Sequence, residues 1–580
     1  MSKFNLSEKI KSKKTQSFIM LGLTVLLLIF INILANVFNG HIDLTEEKRF
    51  TLTEPTKQQL KSLDDVVFVR VLLEGKFPAA IKHLQNSTRN MLEDFHGLNP
   101  LVEYKFEDPS VGGTPEEKKK RFEDMRQDGL VPMRLKLVDN AEKTEQYIYP
   151  FAEFNYKNRK VIVKLLEENS PGLSPDMALN NSVSLLEYKF SNAIQKLIKN
   201  DRPNIVFTEG HDELKKEETA DLEKTLRAFF DTGRINLDSI GEIPIKTDNK
   251  VDILVIAKPK TPFTEKQKFQ LDSYIMQGGK VIWLIDKLNA DLASMQKTGE
   301  MLPTEYPLNI DDMLFKYGAR INPNLVVDMQ SARILLATGQ AGNSPQYEPF
   351  SWYYYPIVAP SSKHPVVKSL DRVWMQFPSS IDTIRTKSPV TKTVILASSR
   401  TSRLQFTPTR LNFEILRYPA EPSKFDKGAQ PLALLLEGQF TSLFENRLTP
   451  EQLAFFAQKG ETFTPLSIAT KMLVVSDGDV ARNDFDAKQG TITPLGYSRD
   501  EKHKFANKDF LQNAIEYMLD DKGIIEARGK EVKLRLLDTV KAKENRTLWQ
   551  VVNIVLPLAF IGLFGVFYFW RRKKSYGQGA

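Results

Sequence analysis

Cysteine is absent from all 580 residues. That single lack removes disulfide scaffolds, thiol nucleophiles and cysteine-ligated metal sites. Histidine is scarce: the six lie at 41, 83, 96, 211, 364 and 503, and no His-Glu-x-x-His pair occurs. No Gly-x-x-x-x-Gly-Lys-[Ser/Thr] occurs either, because Lys76, Lys280 and Lys530 are followed by Phe77, Val281 and Glu531. No P-loop therefore cradles a nucleotide phosphate. A Gly-x-Ser-x-Gly elbow is also missing. These absences lead us to expect a chain without catalytic residues, metal or cofactor.

What is present is apolar sequence at both ends. Phe18–Val37 follows Lys9, Lys11, Lys13 and Lys14, and Leu548–Trp570 precedes Arg571, Arg572, Lys573 and Lys574. Each stretch is about 20 residues or slightly more, enough to cross a hydrocarbon core of ~30 Å. Basic flanks stay on the cytoplasmic side. The expected topology is a basic cytoplasmic tail (1–17), a first span (18–37), a periplasmic region (41–547), a second span (548–570) and a second basic tail (571–580). The first span is longer than a signal-peptide core and lacks a small-x-small site, so it reads as an uncleaved anchor. Phe564, Phe567, Tyr568, Phe569 and Trp570 crowd the end of the second span, as interfacial aromatics do.

Charge follows the same plan. The whole chain carries 80 Lys and Arg against 72 Asp and Glu, but the two tails hold nine basic residues and one acid. The remainder is formally neutral, with 71 of each sign. The basic excess is therefore topogenic, directed at membrane lipid, and nucleic acid is not an expected partner.

Between the spans, two α/β units are expected. In residues 41–200, Val66–Leu73, Val102–Phe106 and Val131–Leu137 read as strands. Ala79–Phe95 and Pro115–Gln127 read as helices, and Tyr147–Tyr156 with Lys160–Leu166 reads as a hairpin. The order β-α-β-α-β-β resembles a thioredoxin-like layer without its Cys-x-x-Cys. Thr53 before Pro55 predicts a helix start, and Val183–Asn200 reads as a helix. Residues 201–527 read as a parallel-sheet unit. Its buried strands are Asn204–Phe207, Val251–Ala257, Lys280–Ile285 and Lys471–Ser476, and its helices are Leu214–Phe230, Thr264–Gln277 and Asn507–Leu519. An irregular, β-rich insertion is expected at about 310–470, and residues 528–547 form a charged connector.

Open α/β sheets bind ligands beyond the carboxyl ends of their strands. Glu209, His211, Asp286, Asp477 and Asp479 are the candidate ligand contacts there. The same residue types also serve as turn and cap residues. The run Phe350, Trp352, Tyr353, Tyr354 and Tyr355 offers a glycan-stacking platform as one reading and a β-rich core as the other. Asn32 and Asn36 stand four apart on one face of the first span, a placement suited either to bonding a partner helix or to meeting water near the outer interface.

Several segments together resemble a known family. They are Asp43-Leu44-Thr45-Glu46-Glu47-Lys48-Arg49-Phe50-Thr51-Leu52-Thr53, Thr208-Glu209-Gly210-His211-Asp212-Glu213 and Val255-Ile256-Ala257-Lys258-Pro259-Lys260. Tyr274-Ile275-Met276-Gln277-Gly278-Gly279-Lys280, Val474-Val475-Ser476-Asp477-Gly478-Asp479 and Arg528-Gly529-Lys530-Glu531 complete the set. In this order, between two terminal spans, they are similar to the gliding-motility-associated ABC transporter auxiliary component, the GldG-like family of Bacteroidota. The resemblance implies a multi-span permease and a cytoplasmic ATPase as partners, at the inner membrane. It also implies a glutamine-amidotransferase-like fold for the second unit, the fold shared with an intraflagellar transport protein. Enzymes of that fold use a Cys nucleophile, which this chain lacks. The expected function is a non-enzymatic auxiliary subunit supporting gliding motility and its cell-surface machinery. The alternative is an envelope glycan-binding or glycan-hydrolysing membrane-anchored protein.

Overall fold

The computed structural model describes residues 13–37, 51–139, 142–167, 175–199, 201–245, 249–341, 344–360, 362–418, 420–451, 463–529 and 545–576. Helix α1 (Lys13–Val37) contains the first expected span, and its described apolar part is Met20–Asn32. The main body then builds two sheets.

The first sheet grows from helix α2 (Glu54–Lys61), β1 (Val67–Val71), α3 (Ala79–Leu98) and β2 (Val102–Phe106). Helix α4 (Pro115–Gln127), β3 (Met133–Asp139), β4 (Glu142–Ile148), β5 (Phe151–Tyr156) and β6 (Arg159–Lys164) follow. Its order is β2-β1-β5-β6, with β1 parallel to β2 and the other neighbours antiparallel. Alternation along β1 sends Val67, Val69 and Val71 to one face. There they join Leu84, Leu92 and Phe95 of α3 in one buried cluster. Those α3 residues recur at helical spacing, which is why this face of the helix is the one buried. Thr114 and Glu117 close a reciprocal capping box at the start of α4.

Two expectations change here. The strand expected at Val131–Leu137 does not enter the four-stranded sheet; as β3 it pairs with β4 in a separate two-stranded ribbon. The strand expected at Tyr147–Tyr156 is broken between β4 and β5. Pro150 sits at the break and has no N–H for a ladder, and Phe151 N–H instead bonds Tyr149 O at 2.8 Å.

Helices α5 (Pro175–Ser184) and α6 (Leu186–Ile198) lead to the second sheet. Its parts are β7 (Asn204–Glu209), α7 (Ala220–Leu226), β8 (Asp231–Asn236), β9 (Ile253–Ala257), α8 (Glu265–Met276) and β10 (Lys280–Leu284). A ribbon of β11 (Ser331–Ala341) and β12 (Ser344–Val358) intervenes. Strands β13 (Val390–Ala397), β14 (Pro431–Gly438) and β15 (Thr470–Val475) and helix α9 (Asn507–Leu519) complete it. The sheet runs β13-β14-β15-β10-β9-β7-β8. The five strands from β15 to β8 are mutually parallel, while β13 and β14 are antiparallel additions. The middle segment is therefore not purely an insertion, since β13 and β14 extend the main sheet. The helix expected over Leu214–Phe230 is regular only across α7.

Strand β9 is buried at every position, as are the last four residues of β10 and of β15. That matches their unbroken apolar sequence and a sheet covered on both faces. Thr264 caps α8 and closes a box with Gln267.

The C-terminal unit, described by itself, is helix α10 (Arg546–Tyr576). It is long and apolar enough to cross a membrane, and its described side chains are exposed throughout. Pro557 lies inside it without ending the helix, as membrane helices tolerate.

Candidate functional site

Adjacent parallel strands deliver their next residues to one place. Leu284 at the end of β10 is in register with Ala257 of β9 and Val475 of β15. The residues just beyond those ends are Lys258, Asp286 and Asp477. Lys258 turns the chain with φ +56° while its N–H bonds Leu284 O at 2.8 Å. Asp477 opens the short 3₁₀ turn Gly478–Ala481 by accepting from Asp479 N–H at 2.8 Å. A Cβ on Gly478 would lie 2.5 Å from Lys258 Cβ, so only glycine admits this approach.

The four charged groups are buried and interlocked. Lys258 Nζ lies 2.5 Å from Asp479 Oδ2 and 3.0 Å from Asp286 Oδ2. Asp286 Oδ1 accepts from Gly478 N–H at 2.6 Å, and Asp477 Oδ2 accepts from Gln376 N–H at 2.7 Å. Arg482 Nη1 reaches Asp479 Oδ1 at 3.3 Å. Each of the six carboxylate oxygens thus has a partner within the protein. Burial pushes Asp477 well up, reinforced by the charges of Asp479 and Asp286. Burial likewise raises Asp286, in spite of Lys258 beside it. For Asp479 burial is outweighed by the cations Lys258 and Arg482, which hold it low. Burial opposes the Lys258 charge, but its two carboxylates outweigh that and lift its pKa far above the usual range.

The three aspartates each place an oxygen within 4.8 Å of the others, a donor set suited to a hard cation. The Lys258 ammonium already supplies positive charge at that point.

Glu209 and His211 join other networks. Glu209 is exposed and pairs with Arg234 at 3.1 Å. His211 is buried, stacked on Phe263 with centroids 3.8 Å apart. Its Nε2 faces Gln267 Oε1 at 3.1 Å. The orientation of that amide is fixed, because Gln267 Nε2 donates to Asp238 at 2.8 Å and Oε1 accepts from Thr264 N–H at 2.8 Å. Nε2 therefore carries a proton. On the other side Nδ1 faces Glu213 Oε1 at 3.4 Å. Two acceptors on opposite sides of the ring favour imidazolium. Burial opposes that charge, but Glu213, Gln267 and Asp238 overcome it and raise the His211 pKa.

Lys258, Arg482 and Gln376 belong to the aspartate cluster and were not among the sequence candidates. Three of the five aromatic residues are interior: Trp352, Tyr354 and Tyr355 lie in one buried cluster with Phe377 and Leu411, while Phe350 and Tyr353 are partly buried. Asn32 is exposed on α1, whereas the side chain of Asn36 lies outside the described residues.

Residues 46–155 match a domain of unknown function, DUF7088. An uncharacterized protein of Borreliella burgdorferi (strain ATCC 35210 / DSM 4680 / CIP 102532 / B31) is 24% identical over 441 residues, covering 74% of this chain and 78% of that one. The mmIFT52 N-terminal domain aligns over 54% of this chain and 96% of its own length, at 12% identity and a TM-score of 0.29. Residues 202–514 match the family model ABC_transp_aux, described as an ABC-type uncharacterized transport system, and the chain belongs to that family.

Proposed function

We propose that this protein is a non-enzymatic, membrane-anchored auxiliary subunit of an ABC transporter complex. The observation that carries the reading is the family match over residues 202–514 in a chain that also holds the membrane-length helix α10. In this reading α1 and α10 are both spans, the basic tails are cytoplasmic, and residues 41–547 are periplasmic at the inner membrane. The first lobe is thioredoxin-like, supported by its β2-β1-β5-β6 order. The second is amidotransferase-like, supported by its run of parallel strands. The sequence lacks a P-loop, so a separate cytoplasmic ATPase supplies energy, and a multi-span permease supplies the pathway. Asn32 and Asn36 face that permease. The biological setting is gliding motility and the associated surface machinery, from the family resemblance of the sequence.

The aspartate cluster serves the fold in this reading. A ligand would have to displace partners that already satisfy all six oxygens. Glu209 and His211 have no catalytic duty.

Co-purification from mild detergent tests the assignment. A tagged full-length chain should retain a multi-span permease and an ATPase. Retention of neither would remove the transporter role. Alkaline phosphatase fused at Lys57 should be active and fused after Ala580 inactive; the reverse would overturn the topology.

A further inference from the structure

Helix α6 has no exposed residue. A helix between a sheet and solvent normally keeps one polar face wet; here three faces are occupied. Leu186, Phe190, Ala193, Ile194 and Leu197 enter the core of the first lobe. Glu187 and Ser191, one turn apart, face α2. Thr53 N–H donates to Glu187 Oε1 at 2.6 Å, and the Thr53 hydroxyl lies 2.9 Å from the same oxygen. Thr56 Oγ1 lies 3.0 Å from Ser191 Oγ, and Gln59 Nε2 donates to Ser191 O at 2.8 Å. Thr53 thus holds the start of the body to α6 instead of capping α2 through its side chain.

The third face carries Tyr188, Asn192 and Lys196, again at helical spacing. All three reach Glu516 of α9, at 2.5, 3.0 and 2.7 Å. Burial alone would raise Glu516, but the Lys196 charge and these hydrogen bonds outweigh it and hold its pKa low. Tyr188 also packs with Ile525 and Ala527 of the 3₁₀ turn Ile524–Gly529, where the body ends. The Arg528 guanidinium lies 5.4 Å from the Tyr188 ring centroid and donates to Asn513 at 2.5 Å. A Cβ on Gly523 would meet Pro55 of α2 at 3.6 Å, so the two ends of the body also lie against each other. This joint is not packed solid. A cleft of about 560 Å³ opens beside it, lined in part by Tyr188, Asn192, Lys196, Glu516 and Arg528.

We infer that α6 is a clasp that couples the two chain exits of the body, so that releasing either exit from α6 loosens the other. Adjacent residues do the coupling: Glu187 holds the entry at Thr53, and Tyr188 holds the exit at Ile525–Arg528. A shift of α6 that breaks one contact moves the other. The geometry stands independently of topology. Its consequence, that the two membrane linkers share one mechanical anchor, rests on the membrane reading proposed above.

Hydrogen exchange of the full-length chain in detergent micelles tests the clasp. Glu187→Gln weakens the hold on Thr53. Backbone amides of residues 54–61 and of 524–529 should both exchange about ten-fold faster, the scale of losing one hydrogen bond of ~1.4 kcal/mol. Arg528→Gln should produce the same pair of changes from the other side. Thr53→Val, which exchanges the hydroxyl for a methyl group, serves where Glu187→Gln unfolds. Lys424→Gln, at an exposed ion pair elsewhere, should alter neither segment. Acceleration confined to the mutated side would overturn the clasp. That result leaves co-purification and fusion assays untouched, so failure of the coupling and failure of the membrane reading are separately visible.

Discussion

Two corners at the carboxyl end of the main sheet solve the same problem differently. At one, Lys258, Asp286, Asp477 and Asp479 are buried with every carboxylate oxygen matched by a donor or cation. At the other, His211 hydrogen-bonds Gln267 through Nε2, while Nδ1 lies 3.4 Å from Glu213 Oε1, close enough for charge attraction when the ring is protonated but without a hydrogen bond. The first corner closes its charge account internally. The second depends on a proton from solvent. Buried polar residues at a strand end are thus not one kind of feature. What separates them is whether the partners are fixed groups of the protein or include a histidine ring that must be protonated.

Breaking the first corner should have the largest effect. Lys258→Met removes the ammonium that bridges Asp286 and Asp479 and leaves only Arg482 beside Asp479; breaking a buried pair this way typically costs ~3–5 kcal/mol. Thermal unfolding of the full-length chain should show a drop of several degrees. Adding Asp479→Asn to the same chain should recover part of the loss. An unchanged melting temperature in the single variant would show that the ammonium does not hold the strand ends.

A steric version comes next. Gly478→Ala places a methyl group 2.5 Å from Lys258 Cβ and should cost ~1–3 kcal/mol through overpacking. A stable, unshifted variant would mean that the turn relaxes more freely than its contacts imply.

The second corner should respond to pH through His211. The folded pKa of His211 is raised above its ordinary 6.5. Its stabilising contribution is then complete below the unfolded value and is lost as pH rises through the raised folded value. Denaturation midpoints from pH 6 to 9 should fall by the equivalent of ~1 kcal/mol, about one hydrogen bond. His211→Gln should flatten that dependence. A wild-type profile that rises across this window would place the proton elsewhere.

The smallest effect belongs to Glu209. Its pair with Arg234 is exposed on the Glu209 side, so Glu209→Gln should change stability by less than ~0.5 kcal/mol. A larger loss would make this pair part of the second corner.

Much of the parallel sheet is legible in the sequence because its strands are uninterrupted apolar runs that end at Asp286 or at Ser476-Asp477. Those endings also mark where polar groups gather. Lys258 is not legible, since a lysine opening a loop is ordinarily solvated. Only register brings it beside Asp286 and Asp479. Gln376 contributes through its backbone, which no side-chain pattern announces. His211 is legible as a residue, yet its separation from the aspartates depends on Gln267, which reads simply as part of a helix cap. The first sheet is less legible. Alternation identifies β3 as a strand without saying which sheet it joins, and the break at Pro150 redirects β4 into its own ribbon. Strands β13 and β14 lie among Pro-rich, irregular text, and only long-range pairing attaches them to the main sheet.

Because every side of α6 is in use, that helix has little room for neutral change. Most helices drift in sequence along the face turned to water; α6 has no fully exposed residue, only the partly exposed positions Lys189, Asn192, Gln195, Lys196 and Ile198. Most substitutions there must answer to the first-lobe core, to the entry at Thr53, or to the Glu516 joint. A mutational scan of residues 186–198 should therefore find intolerance running continuously along the helix, without the 3.6-residue rhythm of permissive positions that marks an ordinary surface helix.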